Sequence, residues 1–343
     1  RTFSPLRMGR SSANYISDAA YEFEKRFKEF KPSLVISASN YVVALPALIA
    51  ARRVGIPFVY EVRGFWEITR ISRDPSYVEK PAYDIQKILE TAVANHADHV
   101  FTLTEPMREE LVGRGVVRSK IDLLPNSCDP TRFLPRQRDF GLADVLNLPK
   151  GVPVIGYIGT FVDYEGLEDL ASACAELKHR GIEFRLLLVG NENTSGQDRG
   201  PITEEIARIA KEYSFTNWLI MPGRVPHEEV EAYYSLIDIA PFPRKPLPVC
   251  EMVSPMKPLE ALAMEKSVVV SSVRALVEMI DHERTGLVYE KGNIGSMADT
   301  LARLIGDDEL RKSLGVAGRK WVEDSRTWRR IGQMASNIIE SKI

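Results

Sequence analysis

Apolar and polar positions alternate along this chain in two modes. Longer stretches place apolar side chains at helical spacing. Between them lie short uninterrupted blocks of Val, Ile, Leu and Phe, the mark of strands covered on both faces. In the first half, residues 14–30, 42–54, 83–96 and 105–113 read as helices. Residues 33–37 (SLVIS), 57–62 (PFVYEV), 98–103 (DHVFTL) and 121–124 read as strands. Thr102 or Thr104 offers an oxygen to cap the helix after the third strand. From 133 to 150 the periodicity fades and polar residues take over, which predicts a linker. Beyond it come strands at 152–158, 184–189, 218–221, 237–242, 268–271 and 285–289. Helices are predicted at 167–180, 203–212, 227–236, 258–264, 294–305, 308–323 and 328–339. Glycine and proline fall between these elements. This alternation predicts an α/β protein of two Rossmann-like domains, each a parallel sheet between helices. The expected divisions are an N-terminal domain over 1–147, a C-terminal domain over 148–325, and a last helix over 326–343 crossing back to the first domain. Two such sheets face each other across a cleft, and the loops after their strands carry ligands.

The 343 residues are enough for two packed cores, with 44% hydrophobic and 27% charged side chains. A net charge of −2 gives no field that would draw the chain to nucleic acid. Cys128, Cys174 and Cys250 lie far apart with no metal-ligand spacing, so no disulfide or structural zinc is expected, and a cytoplasmic setting fits. No apolar run approaches the roughly 18–20 residues of a membrane span. Residues 1–5 (RTFSP) have neither an initiator Met nor a following apolar stretch. They read as loop rather than signal peptide, and the first strands of the N-terminal domain are expected to precede them.

Candidate chemistry concentrates in loops that leave strands. Residues 241–260 (PFPRKPLPVCEMVSPMKPLE) hold the cations Arg244, Lys245 and Lys257 and the carboxylates Glu251 and Glu260. The turn of Ser254, Pro255, Met256 and Lys257 leads into a helix, where unpaired backbone N–H groups and the dipole favour a phosphate. Lys257 adds a point charge, and Glu260 stands where it can accept hydrogen bonds from ribose hydroxyls. By composition alone the stretch reads equally as a proline-rich surface loop. A second loop, residues 158–167, carries Gly159, Thr160, Glu165 and Gly166; Gly159 permits close backbone approach. A third is Gly223, Arg224, Val225, Pro226 and His227, and Gly190 with Asn191 ends a further strand. In the first domain, residues 61–67 (EVRGFWE) put Arg63 and Trp66 after a strand. Arg63 is either a ligand contact or the partner of Glu61 or Glu67, and Trp66 offers a face to a sugar. Asn40 reads as a loop cap.

The segment 255–260 (PMKPLE), with ALAMEKSVVVSS after it, resembles the signature region of the family-4 retaining glycosyltransferases of the GT-B fold. In that family two glutamates are separated by seven residues; the first lies by the donor sugar and the second binds the nucleotide ribose. The resemblance maps Glu260 to the second. Eight residues separate Glu251 from Glu260, so a one-residue bulge is expected to restore Glu251 to the first position. Thr160 and Glu165 stand where the family usually carries an Arg and a Lys on the diphosphate, and Arg244 or Lys245 is expected to supply that charge instead. The turn at Arg224 and Val225 resembles the one whose backbone meets the nucleotide base. Arg63 stands where members commonly have a His near the donor sugar. Residues 124–133 (LPNSCDPTRF) resemble the family's hinge, with Ser127 in place of Gly, and Glu278 matches a glycine-rich turn only in part.

The resemblance implies a retaining transfer from a UDP- or GDP-sugar to a glycan or lipid-linked acceptor, with no metal and no further cofactor. Lys257, Glu251 and Arg63 would be at the reacting centre, with peripheral association at the inner membrane face. Extracellular-polysaccharide assembly is the implied setting. Two rivals remain at this stage: a nucleotide-sugar epimerase of the same fold, and a non-catalytic nucleotide-sugar-binding module.

Overall fold

The computed structural model describes residues 12–192 and 200–343; the loop expected over residues 1–5 lies outside them. The chain divides into two compact units. The first runs to Pro125 and includes Met252–Ser254 and Gly332–Ile343; the second comprises Asn126–Glu251 and Pro255–Ile331.

The first unit is built on β1 (Val35–Ala38), β2 (Phe58–Val62), β3 (His99–Thr102) and β4 (Ile121–Leu123), parallel and paired in sequence order. β3 is buried at every position, and Phe58, Tyr60 and Phe101 fill the core. Asn40 caps the helix Tyr41–Val54 by accepting from the Val42 amide at 3.3 Å, and Gly55 closes it in the left-handed conformation. Thr104 caps Glu105–Gly113 through the Met107 amide. The helix Trp66–Ile71 has no counterpart in the sequence pattern, because six residues are too few to show a period.

The second unit carries β5 (Val154–Ile158), β6 (Arg185–Val189), β7 (Leu219–Gly223), β8 (Ile239–Phe242), β9 (Ser267–Ser271) and β10 (Leu287–Tyr289). All are parallel, in the order β10-β9-β8-β5-β6-β7. β5, β8 and β9 are buried throughout, which explains their unbroken apolar runs. Strand order reverses between β5 and β8, which pair at Ile155 and Ile239. The loops leaving those two strands therefore diverge and open a crevice at their carboxyl ends.

The expected linker over 133–150 is instead anchored to the second unit. The Cys128 amide donates to the Arg326 carbonyl at 3.0 Å, the Asp139 amide to Ser235 Oγ at 3.1 Å, and the Arg319 guanidinium to the Phe133 carbonyl at 3.0 Å. These bonds carry the division to Pro125/Asn126, ahead of the expected 147/148. Among the described residues no helix is long and apolar enough to cross a membrane.

Candidate functional site

In the second unit the loops after β5, β6 and β7 enclose a pocket of about 150 Å³, lined by Gly159, Thr160, Gly190, Asn191, Arg224 and Val225 among others. Backbone bonds extend the sheet beyond its strands: Gly159 amide to Val189 carbonyl (2.9 Å), Phe161 amide to Asn191 carbonyl (2.9 Å), Gly190 amide to Gly223 carbonyl (2.8 Å). These bonds tie the pocket walls to one another. The volume falls below the roughly 300–1,000 Å³ that encloses a whole drug-sized ligand, so the pocket has room for only one part of such a molecule. Six residues singled out from sequence meet here: Gly159, Thr160, Gly190, Asn191, Arg224 and Val225.

Beside this pocket lies a group of buried charges. The Lys257 side chain crosses Gly159 so closely that a Cβ there would sit 2.4 Å from Lys257 Cε; the backbone φ of +152° likewise suits only glycine. The Lys257 ammonium donates to the Tyr157 hydroxyl at 2.5 Å and lies 3.4 Å from Glu165 Oε1. Glu165 in turn accepts from Arg244, at 2.8 Å to Oε1 and 3.4 Å to Oε2. Arg244 therefore turns inward rather than toward the pocket: its guanidinium is buried and its charge is matched by Glu165. Burial pushes the Glu165 carboxyl upward, but Arg244 and then Lys257 outweigh it and hold the group below its ordinary value. Burial lowers Lys257, and Glu165 opposes that shift. Lys245 points elsewhere, 3.6 Å from Glu168.

Glu260 projects from the helix Lys257–Ala263, half-buried beside Tyr234 and Lys257. Its carboxyl is raised chiefly by burial, which Lys257, Arg132 and Tyr234 oppose. Glu251 lies on the short helix Pro248–Met252, and both its oxygens are engaged: Oε2 by the Arg274 amide at 2.9 Å and Oε1 by Lys291 Nζ at 2.6 Å. Met256 precedes Lys257–Ala263 with helical backbone angles and no side-chain cap, and Pro255 joins the second unit. Ser254 is buried and groups with the first unit.

In that first unit, Arg63 follows β2. Its amide donates to Ser39 Oγ at 3.0 Å, and its half-exposed guanidinium lies 3.8 Å from Glu61. Glu67 is not its partner; Arg114 takes Glu67 at 2.7 Å in a buried pair. Trp66 beside it is 59% exposed. Sequence reasoning did not find Tyr157 or Lys291. Tyr157 is an ordinary residue of β5 and Lys291 of the turn after β10, and only packing brings them to Lys257 and Glu251.

Two parallel α/β units, the second with a loop-lined pocket at the carboxyl ends of its strands, define the two-domain Rossmann-like class known as GT-B. Residues 142–321, just over half of the chain, match the family "Glycosyl transferases group 1", and residues 4–127 match "Glycosyl transferase 4-like domain". The chain belongs to the group 1 glycosyltransferases. It is 26% identical over 284 residues to 2-deoxystreptamine glucosyltransferase of Streptomyces kanamyceticus, covering 80% of this chain and 68% of that protein. It is 24% identical over 259 residues to a GDP-mannose-dependent phosphatidylinositol monomannoside mannosyltransferase of Mycolicibacterium smegmatis, covering 73% and 64%. The chain thus spans about two thirds of these relatives' lengths. Among solved structures, Anabaena Alr3699/HepE in complex with UDP superposes with a TM-score of 0.78 at 15% identity, over 96% of this chain and 82% of that one. At that identity the likeness bears on the fold.

Proposed function

We propose that this protein transfers a sugar, with retention of configuration, from a nucleotide-sugar donor to a glycan or lipid-linked acceptor. The observation that carries the reading is the pocket at the ends of β5, β6 and β7, with the Lys257 ammonium lying against its Gly159 wall. In this reading the nucleoside enters the pocket, with the backbone at Arg224 and Val225 meeting the base and Glu260 holding the ribose. The diphosphate extends past Gly159 and Thr160 toward Lys257. The UDP complex of the structural neighbour and the GDP-mannose dependence of a relative support testing both bases.

When the sugar–phosphate bond breaks, negative charge grows on the departing diphosphate while the sugar becomes oxocarbenium-like. A fixed cation stabilises that charge more in the transition state than before it. Lys257 supplies it without a metal ion. The Ser254–Pro255–Met256 turn leads the chain to Lys257. Arg63 and Trp66 are assigned to the sugar or the acceptor. Glu251, with both oxygens held, fixes the loop after β8 and meets the donor sugar through its remaining lone pairs. A lipid-linked acceptor brings the protein to the cytoplasmic face of the membrane as a peripheral enzyme.

The test is a melting-temperature screen against UDP-, GDP- and ADP-sugars, followed by nucleotide-release kinetics and NMR of the product anomer. A rise with one donor and a product of unchanged anomeric configuration support the reading. No rise with any donor overturns it. An inverted product overturns retention alone, an epimerised donor makes the protein an epimerase, and tight binding without turnover makes it a binding module.

A further inference from the structure

Three charges meet under the Gly159 loop, and they do not cancel. Glu165 carries one negative charge against the positive charges of Arg244 and Lys257. The side chains of Glu165 and Arg244 are 3% and 8% exposed, whereas that of Lys257 is 24% exposed. Within the trio the second positive charge lies on the member that reaches solvent, against the wall of the pocket, where Glu260 faces it from the same helix.

The backbone fixes the trio. Gly166, at φ +74°, lets the loop after β8 come so near that a Cβ would sit 2.1 Å from the Pro243 carbonyl oxygen, one residue before Arg244. Arg244 then forks onto both Glu165 oxygens, and Oε1 faces Lys257. On its other side Lys257 donates to Tyr157, whose hydroxyl donates to the Thr160 carbonyl at 3.3 Å. The groups facing Lys257 are thus Tyr157 on β5, Glu165 on the loop after β5, Arg244 on the loop after β8, and Glu260 on its own helix.

We propose that Glu165 is a positioning residue for the donor's diphosphate, holding the Lys257 ammonium in place and charged, with Arg244 behind it keeping the carboxylate ionised. This rests on the reading that Lys257 meets the diphosphate. The acidic side chain contributes to binding an anion because it acts through the lysine, which burial and Arg244 would otherwise push toward the neutral amine. Glu165 opposes that push, so its removal lets Lys257 lose its proton at lower pH.

The experiment is calorimetric titration with UDP and uridine, and with GDP and guanosine, between about pH 6.5 and about pH 9. The ratio of nucleotide to nucleoside affinity isolates the diphosphate, and the nucleoside affinity reports an intact fold. Lys257→Ala is expected to lower the ratio about tenfold or more at the acid end. Glu165→Gln is expected to keep the nucleoside affinity, and its ratio to fall away at lower pH than the wild type's. Glu165→Asp, which leaves Arg244 a partner but withdraws the carboxylate from Lys257, shows the same displacement in smaller measure and serves if the Gln variant does not fold. A wild-type ratio near one, or one unmoved by Lys257→Ala, overturns the donor-site reading and this proposal with it. If Lys257→Ala collapses the ratio while both Glu165 variants keep the wild-type pH profile, or lose affinity equally at every pH, only the role of Glu165 is overturned.

Discussion

Gly159→Ala tests whether Lys257 and the loop after β5 are one mechanical unit. The added Cβ meets Lys257 at three atoms, Cε at 2.4 Å, Nζ at 3.0 Å and Cδ at 3.1 Å, and no backbone atom is among them. The end of a lysine side chain can move, but here moving it breaks the bonds to Tyr157 and Glu165. Two costs follow. Holding alanine at φ +152° costs about 1–3 kcal/mol, and forfeiting the charge-assisted bonds costs about 1.5–3 kcal/mol more. In a Lys257→Ala background the second cost has already been incurred, and the three atoms nearest the new methyl group are gone. The substitution should then cost only the backbone share, leaving a coupling of about 1.5–3 kcal/mol between the two positions. Urea denaturation of wild type, both single variants and the double variant measures this directly. Equal losses in the two backgrounds, to within about 0.5 kcal/mol, would refute the packing of Lys257 on Gly159.

Arg244→Met leaves Glu165 buried with the more distant Lys257 as its cation. It should destabilise the protein by about 3 kcal/mol in urea melts, toward the lower end for a broken buried pair, and a loss below about 1 kcal/mol would contradict the pairing. Glu260→Gln removes the carboxylate assigned to ribose. It should weaken uridine or guanosine binding about tenfold; unaltered nucleoside affinity would free Glu260 of that role. In the first unit, burial pushes Glu90 up to about 7, against bonds from the Tyr60 hydroxyl and the Tyr41 amide that favour the ionised form. Because the folded value lies above the unfolded one, the stabilising contribution is complete below the ordinary carboxyl range and is lost as pH rises through about 7. The loss amounts to up to about 3 kcal/mol. Glu90→Gln should therefore flatten the decline in stability between about pH 5 and about pH 8, and an unchanged slope would exclude Glu90 as its source.

Much of the architecture was legible because strands buried on both faces must be apolar without interruption. SVVVS at β9 and VIGYI at β5 could hardly be anything else, and the glycines and prolines between elements set the punctuation. The short helices Trp66–Ile71 and Phe140–Val145 were not legible, since neither spans enough turns to show a period. Nor was the anchoring of the segment after Pro125, which depends on partners such as Ser235 and Arg319, far away in the chain.

For the candidate site, sequence alone marked loops that the structure gathers at one pocket and its border. Each leaves a strand, and each is marked by glycine or by a charge that no core would accept, as at Gly159, Arg224 and Lys257. What it did not determine was the direction of each charge. Arg244 and Lys257 are both basic residues on the loop leading from β8, and their composition makes them equivalent. Tertiary structure separates them: the close approach at Gly166 gives Arg244 a buried carboxylate to fork onto, while the bare Gly159 gives Lys257 a path to the pocket wall. Electrostatic energy depends on distance and burial in three dimensions. Neighbours such as Glu165 and Lys257, 92 positions apart, acquire their meaning only when the fold brings them together.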